Sequence, residues 1–421
     1  MKKRLFTRDF TLLILGQLTS LFGSAILRLA LSLYVLETTG SAAVFAGLLS
    51  ASVLPSILFA PLGGVLADRG DRRKLMAALD GLSGLSVLLT ALLFTPDRAL
   101  GLIGGLMLFL AALGAFETPT VQACVPSLVA EENLAKGNAM VNQTAFLASF
   151  AAPALGGVLY GAWGLIPVLW ASVLCFFVTA LFECFIRLPR HARPSGGEGG
   201  VLGVVRRDLA ESLRFIFIRR PGISRLLLLA ALSGFFVIGV MVVGLPYLVR
   251  TVLGLGPRYY GGAESLLAAA AVAGGTAAGL LGTRAKTERL WIPLAALGGF
   301  LLPAGAAFLL PLGRMGRYLL LVVSFAGVQG AANFFSISAV SLIQKGTPEH
   351  LLGKVMACVS LLTLCAQPAG QLLYGLLFDR FRGCPALVLL PTGIIAGAVG
   401  LFSRAFFRRF AGEEAPPGTV L

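Results

Sequence analysis

A chain of 421 residues that is 57% hydrophobic and only 13% charged lacks the polar surface of a soluble fold, where about 25% charged residues is usual. Its mean hydropathy of +0.89 makes lipid the solvent for much of its area, which excludes a soluble enzyme or a sizeable extramembrane domain. The net charge of +15 would suit a nucleic-acid binder in a soluble protein, but the bases gather in alternate loops between apolar runs, which is the positive-inside pattern and requires no nucleic acid.

Met1, Lys2, Lys3 and Arg4 ahead of an apolar stretch imitate a signal peptide. The stretch continues to Leu36, however, and another follows after a short turn, so it reads as an uncleaved first transmembrane helix. Apolar length predicts an all-α membrane protein with spans at 11–36, 42–66, 74–95, 100–124, 139–161, 164–187, 224–249, 259–282, 290–311, 317–342, 354–378 and 384–403. At 1.5 Å per residue each crosses a hydrocarbon core of about 30 Å, or nearly so. Twelve spans put both termini on one side. With that side as cytoplasm, 26 of the 34 Lys and Arg residues lie inside, 7 outside and Arg28 within the membrane, which places both termini in the cytoplasm and the chain in the plasma membrane.

Two six-span domains, 1–187 and 224–410, flank a cytoplasmic linker at 188–223, and a tail occupies 411–421. Residues 190–200 read as a flexible connector. Residues 205–219 set Leu209, Leu213, Ile216 and Phe217 at helical spacing among bases, as in an amphipathic helix lying on anionic inner-leaflet lipid; a plain solvated connector is the alternative. The domains echo each other: FAAPALGGVLYG at 150–161 matches LCAQPAGQLLYG at 364–375, in spans five and eleven. Parallel repeats of this kind give transporters two bundles around a central site.

Polar residues inside the spans are the candidate functional groups, because each is expensive in hydrocarbon. Gln17, Ser20, Ser24, Arg28 and Ser32 recur at steps of three and four, a polar stripe facing an aqueous cavity; a snorkelling or structurally paired Arg28 is the competing account. Asp80 and Glu117 lie about 10 Å from the cytoplasmic ends of their helices, and Arg28 and Glu264 about 12 and 8 Å from the outer ends. Depth therefore favours an Arg28–Glu264 link across the halves as an outer gate. Glu117 is the first candidate for proton coupling and Asp80 the second, with a structural role as the alternative for both. Glu183, near the inner end of span six, reads as interfacial. Gln329, Asn333 and Ser336 form a short stripe, and Ser360, Thr363, Gln367, Gln371 and Tyr374 a longer one. Amides and hydroxyls scattered in an apolar cavity suit a large amphipathic ligand, with Gln17, Ser24, Arg28, Gln329, Asn333 and Gln367 as the lining; helix–helix hydrogen bonding competes with that reading. Ala271, Gly275 and Gly279 mark a close-packing face. The six cysteines lack metal-ligand spacing and act as small packing residues, and His191 and His350 stand in loops without a nucleophile. No cofactor, metal or enzyme activity is expected.

The most specific segment is GGVLADRGDRRKL at 63–75. Gly64 suits a close helix approach, Asp68 at a helix end can pair with a base or a helix N-terminus, and Arg72 and Arg73 suit anchoring to the inner leaflet. This loop resembles the signature between helices two and three of the major facilitator superfamily. Gly16-Gln17-Leu18 with Ala30-Leu31 and Thr39-Gly40-Ser41, and Pro119 with Pro126-Ser127-Leu128-Val129 and Asn138-Ala139, are similar to the drug and siderophore exporters of that superfamily, macrolide-efflux and enterobactin exporters above all. Pro153, Gly156 and Gly157 resemble the antiporter motif, with Ala152 in place of its usual glycine. Ala111 stands where such proteins often carry an arginine linked to proton coupling, which puts the usual relay in doubt. The resemblance implies a monomeric secondary transporter that exports a drug-like, macrolide-like or siderophore-like amphiphile by alternating access, coupled to protons. Lysophospholipid transport is an alternative, as is a non-transporting membrane sensor, disfavoured by the lack of a soluble signalling domain.

Overall fold

A computed structural model describes residues 6–188, 211–281 and 287–414, and contains no strand among them. The connector at 190–200, the start of the expected amphipathic helix and the residues from 415 onward lie outside the described residues. Twelve helices are long and apolar enough to cross a membrane. They are α1 (Arg8–Thr39), α2 (Ala42–Arg69), α3 (Arg72–Leu93), α4 (Ala99–Leu128), α5 (Leu134–Trp163) and α6 (Leu165–Cys184), then α7 (Pro221–Val252), α8 (Pro257–Leu281), α9 (Trp291–Ala306), α10 (Arg314–Lys345), α11 (Glu349–Arg380) and α12 (Ala386–Glu414). Of the amphipathic segment, 211–219 is helical, with Phe215 and Ile216 buried and Phe217 and Ile218 exposed.

Local chemistry sets several ends. The Thr7 hydroxyl accepts from the Phe10 amide at 3.2 Å to open α1, and Gly40, at φ 58°, closes it, a left-handed step that a side chain resists. The Asp71 carboxylate opens α3 by accepting from the Lys74 amide at 3.3 Å. Helices α5 and α12 extend beyond the expected 139 and 403, whereas α9 stops short of the expected 311. Polar interfacial turns continue a helix without adding hydropathy. Helix α7 is regular to Ile238 and then winds as wide π turns over Gly239–Gly244 and Tyr247–Val252.

The chain forms two compact units. The first comprises Met1–Gly40, Leu48–Gly203 and Leu255–Ser265; the second comprises Ser41–Gly47, Val204–Gly254 and Leu266–Leu421. In the first, α1 packs on α5 and α6, and α3 on α4 and α6. In the second, α9 packs on α10 and α12, and α7 on α10 and α11. Two short segments, the starts of α2 and α8, thus cross the expected boundary between 1–187 and 224–410. The internal repeat accounts for both. In α5, a Cβ on Gly157 would stand 2.7 Å from the Pro257 carbonyl oxygen, and one on Gly161 3.6 Å from the Pro257 ring. In α11, a Cβ on Gly375 would stand 2.9 Å from the Ala42 carbonyl oxygen and 3.1 Å from Ala43 Cα. Equivalent small residues of the repeat therefore receive the first turns of equivalent helices.

One turn beyond Gly375 the repeat adds an asymmetric contact. The Asp379 carboxylate accepts from the Ala42 amide at 2.8 Å, the Ala43 amide at 3.0 Å and the Ser41 hydroxyl, so it satisfies the otherwise orphaned first amides of α2 and opposes the positive end of its dipole. Asp379→Ala is expected to lower stability by about 1–2 kcal/mol, the usual worth of a helix cap, seen as a lower thermal midpoint in detergent. Asp379→Asn, which keeps one acceptor oxygen, is expected to lose less.

Candidate functional site

Four helices of the first unit bring a carboxyl cluster together. Asp80 of α3 is 0% exposed, Glu183 of α6 is 1% exposed, and Ser20 of α1 is 1% exposed; Glu117 of α4 is only partly buried. The Ser20 hydroxyl donates to Asp80 Oδ1 at 2.9 Å and lies 3.4 Å from Glu117 Oε1. Asp80 and Glu183 stand within hydrogen-bonding range of each other, yet Asp80 Oδ2 and both Glu183 oxygens have no donor partner among the described residues. Two ionised carboxylates are both acceptors, so this contact is a hydrogen bond only when a proton lies between them. Glu183 is thus buried beside Asp80, not interfacial as its place near a helix end suggested. The signal that could have found it is the run Ser172, Cys175, Thr179 and Glu183, at steps of three, four and four on α6. That face meets α1: the Ser172 hydroxyl donates to the Gly23 carbonyl at 3.2 Å, and the Thr179 hydroxyl to the Gly16 carbonyl at 3.1 Å.

The polar stripe of α1 divides. Gln17, Ser20 and Ser32 are buried, whereas Ser24 and Arg28 are exposed; Gln17 Nε2 has no partner among the described residues. Arg28 acts electrostatically on Glu264 and Tyr260, and the Tyr260 hydroxyl donates to Glu264 Oε1 at 2.9 Å. All three belong to the first unit, because Glu264 arrives on the first turns of α8 packed against α5. At that crossing Gly156 lies against α1, where a Cβ would be 3.3 Å from Ile26 Cα, and Gly157 lies against Gly261, at 3.2 Å from its Cα. Pro153 is buried beside them, and its carbonyl abuts Gly261.

The loop between α2 and α3 departs from expectation in two ways. Gly64 is not the close-packing glycine: among the described residues a Cβ there meets nothing within 4 Å, whereas one on Gly63 collides with the Ala115 carbonyl and stands 3.3 Å from Phe116 Cα. Adjacent helical positions point about 100° apart, so only one of the pair faces α4. Arg72 is not a lipid anchor. Its Nε donates to the Ala67 carbonyl at 2.9 Å, and its Nη1 to the Ala123 carbonyl at 2.9 Å and to the Ser127 hydroxyl at 3.3 Å, tying the end of α2 to α4. Arg73 is exposed. The Asp68 side chain lies outside the described residues. Arg72→Lys keeps the charge but loses the planar fork that serves three acceptors. We expect a drop of about 1–2 kcal/mol in stability from the lost hydrogen bonds, seen as a lower thermal midpoint; a role in lipid anchoring alone would leave it unchanged.

In the second unit Gln329, Asn333 and Gln367 are each partly buried. Asn333 Nδ2 donates to the Ala271 carbonyl at 2.8 Å, so this amide holds α10 to α8. Ser336 and Ser360 are exposed, Gln371 is 5% exposed, and the Tyr374 hydroxyl is 3.0 Å from that of Thr392. Ala111 of α4 receives the Ser56 hydroxyl of α2 on its carbonyl at 3.2 Å.

Twelve helices long and apolar enough to cross a membrane, with buried carboxyls gathered between four of them, define a multi-pass membrane protein. The family model of the Major Facilitator Superfamily matches residues 13–366, and the chain belongs to that superfamily. It is 27% identical to macrolide efflux protein A of Streptococcus pyogenes, over 91% of this chain and 93% of that protein. It is likewise 27% identical to the multidrug efflux pump Tap of Mycobacterium tuberculosis, over 91% and 92%, and 28% identical to the enterobactin exporter EntS of Salmonella typhimurium, over 85% and 82%. Among solved structures it resembles a bacterial homologue of the lysosomal transporter Spinster, with a TM-score of 0.71 at 18% identity over 98% of this chain and 99% of that one, a likeness of fold alone. The chain is therefore a multi-pass transporter of a small molecule, with efflux proteins among its relatives.

Proposed function

We propose that the chain exports a small amphipathic molecule of macrolide-like, drug-like or siderophore-like character from the cytoplasm by alternating access, driven by protons. The observation that carries the coupling is the sharing of one hydroxyl, Ser20, between the partly buried Glu117 and the fully buried Asp80. A carrier carboxyl needs burial, so that its charge is expensive, and access, so that its proton can leave; the pair divides these properties. Ala111 stands in place of the expected arginine, so the coupling role falls to Glu117 and Asp80 instead. Relatives named for the efflux of macrolides and other drugs and of enterobactin support the direction and the substrate class. Ser24 and Arg28 are the groups of the first unit suited to polar contacts with an otherwise apolar ligand; within the second unit Gln329 and Gln367 have the same character, and Asn333 is partly committed to Ala271. Both termini face the cytoplasm, as the distribution of bases requires, and one chain suffices.

The test is reconstitution of the purified chain in liposomes under an imposed pH gradient. A macrolide should accumulate against its own gradient, with proton flux that appears only when the macrolide is present. Accumulation that ignores the pH gradient, or lipid movement without proton flux, would sink the reading.

A further inference from the structure

Glu183 has no part in the coupling scheme above, yet its surroundings are more extreme than those of either acid assigned there. The carboxyl cluster is sealed at one end by an apolar layer that sits three or four residues away on each helix. Leu13 lies below Gln17, Met76 below Asp80, Val121 below Glu117, and Ile186 beyond Glu183, and these four belong to one buried cluster with Phe10 and Cys124. Within the seal, among the described residues, Asp80 and Glu183 face each other with three acceptor oxygens lacking donors, and Gln17 Nε2, 6% exposed at the residue, lacks an acceptor one turn from Ser20.

Among the described residues no base relieves this arrangement. The interactions on the three carboxyls come from one another, from Ser20 of α1 and from Cys184 of α6. Beyond them Cys124 of α4 feels both Glu183 and Arg72. Among the described residues no basic side chain of α1, α3, α4, α5 or α6 acts on any of the three. Ionised groups buried without counter-charge are strongly disfavoured, so protons are the ligand that this geometry takes.

We propose that Asp80 and Glu183 hold one proton between them as a store, and that Ser20 passes it to Glu117, so that the transporter carries a second exchangeable proton behind the first. This rests on the proton-coupled reading above. The transfer balances. With Asp80 protonated on Oδ1, its O–H bond breaks and one forms on Ser20 Oγ, while the original O–H bond of Ser20 breaks and one forms on Glu117 Oε1. Serine ends neutral, Asp80 and Glu183 both end ionised once the shared proton has left, and Glu117 ends protonated. The two Ser20 distances, 2.9 and 3.4 Å, show the hydroxyl on the store side of that exchange. Glu117 is the one of the three residues that is not fully buried, so the proton leaves from there.

The test is infrared titration of the full chain in lipid nanodiscs, following the C=O stretch of protonated carboxyls together with proton uptake as the pH is lowered. Glu183→Gln, nearly isosteric, should remove one component of that band and lower the uptake by one proton per chain. An unchanged band and uptake would overturn the store. Should that variant fail to fold, Ser20→Ala decides, read by the rate at which the band shifts in deuterated buffer. Loss of the relay should slow the shift by about 10²-fold, the lower range for a positioned proton-transfer group, and an unchanged rate would overturn the relay. Macrolide transport by the wild type is the separate arm: transport indifferent to the pH gradient defeats the coupled reading, while the infrared result still decides whether the store exists.

Discussion

Gly261→Ala is expected to abolish transport and to lower the thermal midpoint of the protein, although alanine is the better helix former by about 1 kcal/mol. A single methyl at Gly261 would enter the Pro153 carbonyl and stand 3.1 Å from Gly157 Cα. These are backbone atoms of a neighbouring helix, which no rotamer change can move aside. Overpacking of this kind costs about 1–3 kcal/mol, and relief requires α8 to retreat from α5. That retreat would carry Tyr260 and Glu264 away from Arg28, so one methyl group disturbs both the helix crossing and the charges beside it. Gly262→Ala is the matched control. Among the described residues its Cβ meets nothing within 4 Å, so the same gain in helix propensity should appear as unchanged or improved stability. Equal behaviour of the two variants, measured by thermal unfolding and by transport, would show that the crossing is not the constraint.

The contrast between neighbouring glycines explains what could be read along the chain and what could not. Hydrocarbon imposes a one-dimensional demand, a sufficient apolar length, and twelve spans, the family and the repeat follow from sequence order alone. Depth is also one-dimensional, so Asp80 and Glu117 could be placed at matching levels by counting rises. Rotation about the helix axis is not contained in length or depth. Gly63 and Gly64 are equivalent by hydropathy, yet only Gly63 meets α4. Arg72 carries the charge of a leaflet anchor, but its guanidinium turns toward the carbonyls of Ala67 and Ala123. Glu183 sits near a helix end, where an acid ordinarily reaches water, and is buried because its face of α6 packs against α1 and α3. The polar run through Ser172, Thr179 and Glu183 held that information, but a stripe becomes a site only when the opposing helix is known.

Under the proton exchange proposed above, Glu117→Gln is expected to uncouple transport without stopping it. The amide matches the carboxyl in volume and can still accept from Ser20 through its carbonyl oxygen, so the packing of α4 is preserved and only the exchangeable proton is lost. A permanently neutral side chain resembles the protonated acid. The unloaded carrier can therefore still return, and downhill movement of a macrolide should persist. Uphill movement should not, because no proton is released in exchange. The size of the loss is set by the gradient. One pH unit supplies about 1.4 kcal/mol per proton, so an electroneutral exchange of one proton sustains about tenfold accumulation and an exchange of two protons about a hundredfold. In wild-type proteoliposomes the accumulation ratio at a fixed gradient thus counts the protons; in Glu117→Gln it should fall to about one. Asp80→Asn removes a carboxyl from behind Glu117 and should lower the ratio without abolishing downhill flux. If Glu117→Gln retains the wild-type ratio, the proton leaves by another group, and the exposure of Glu117 beside Ser20 has no part in coupling.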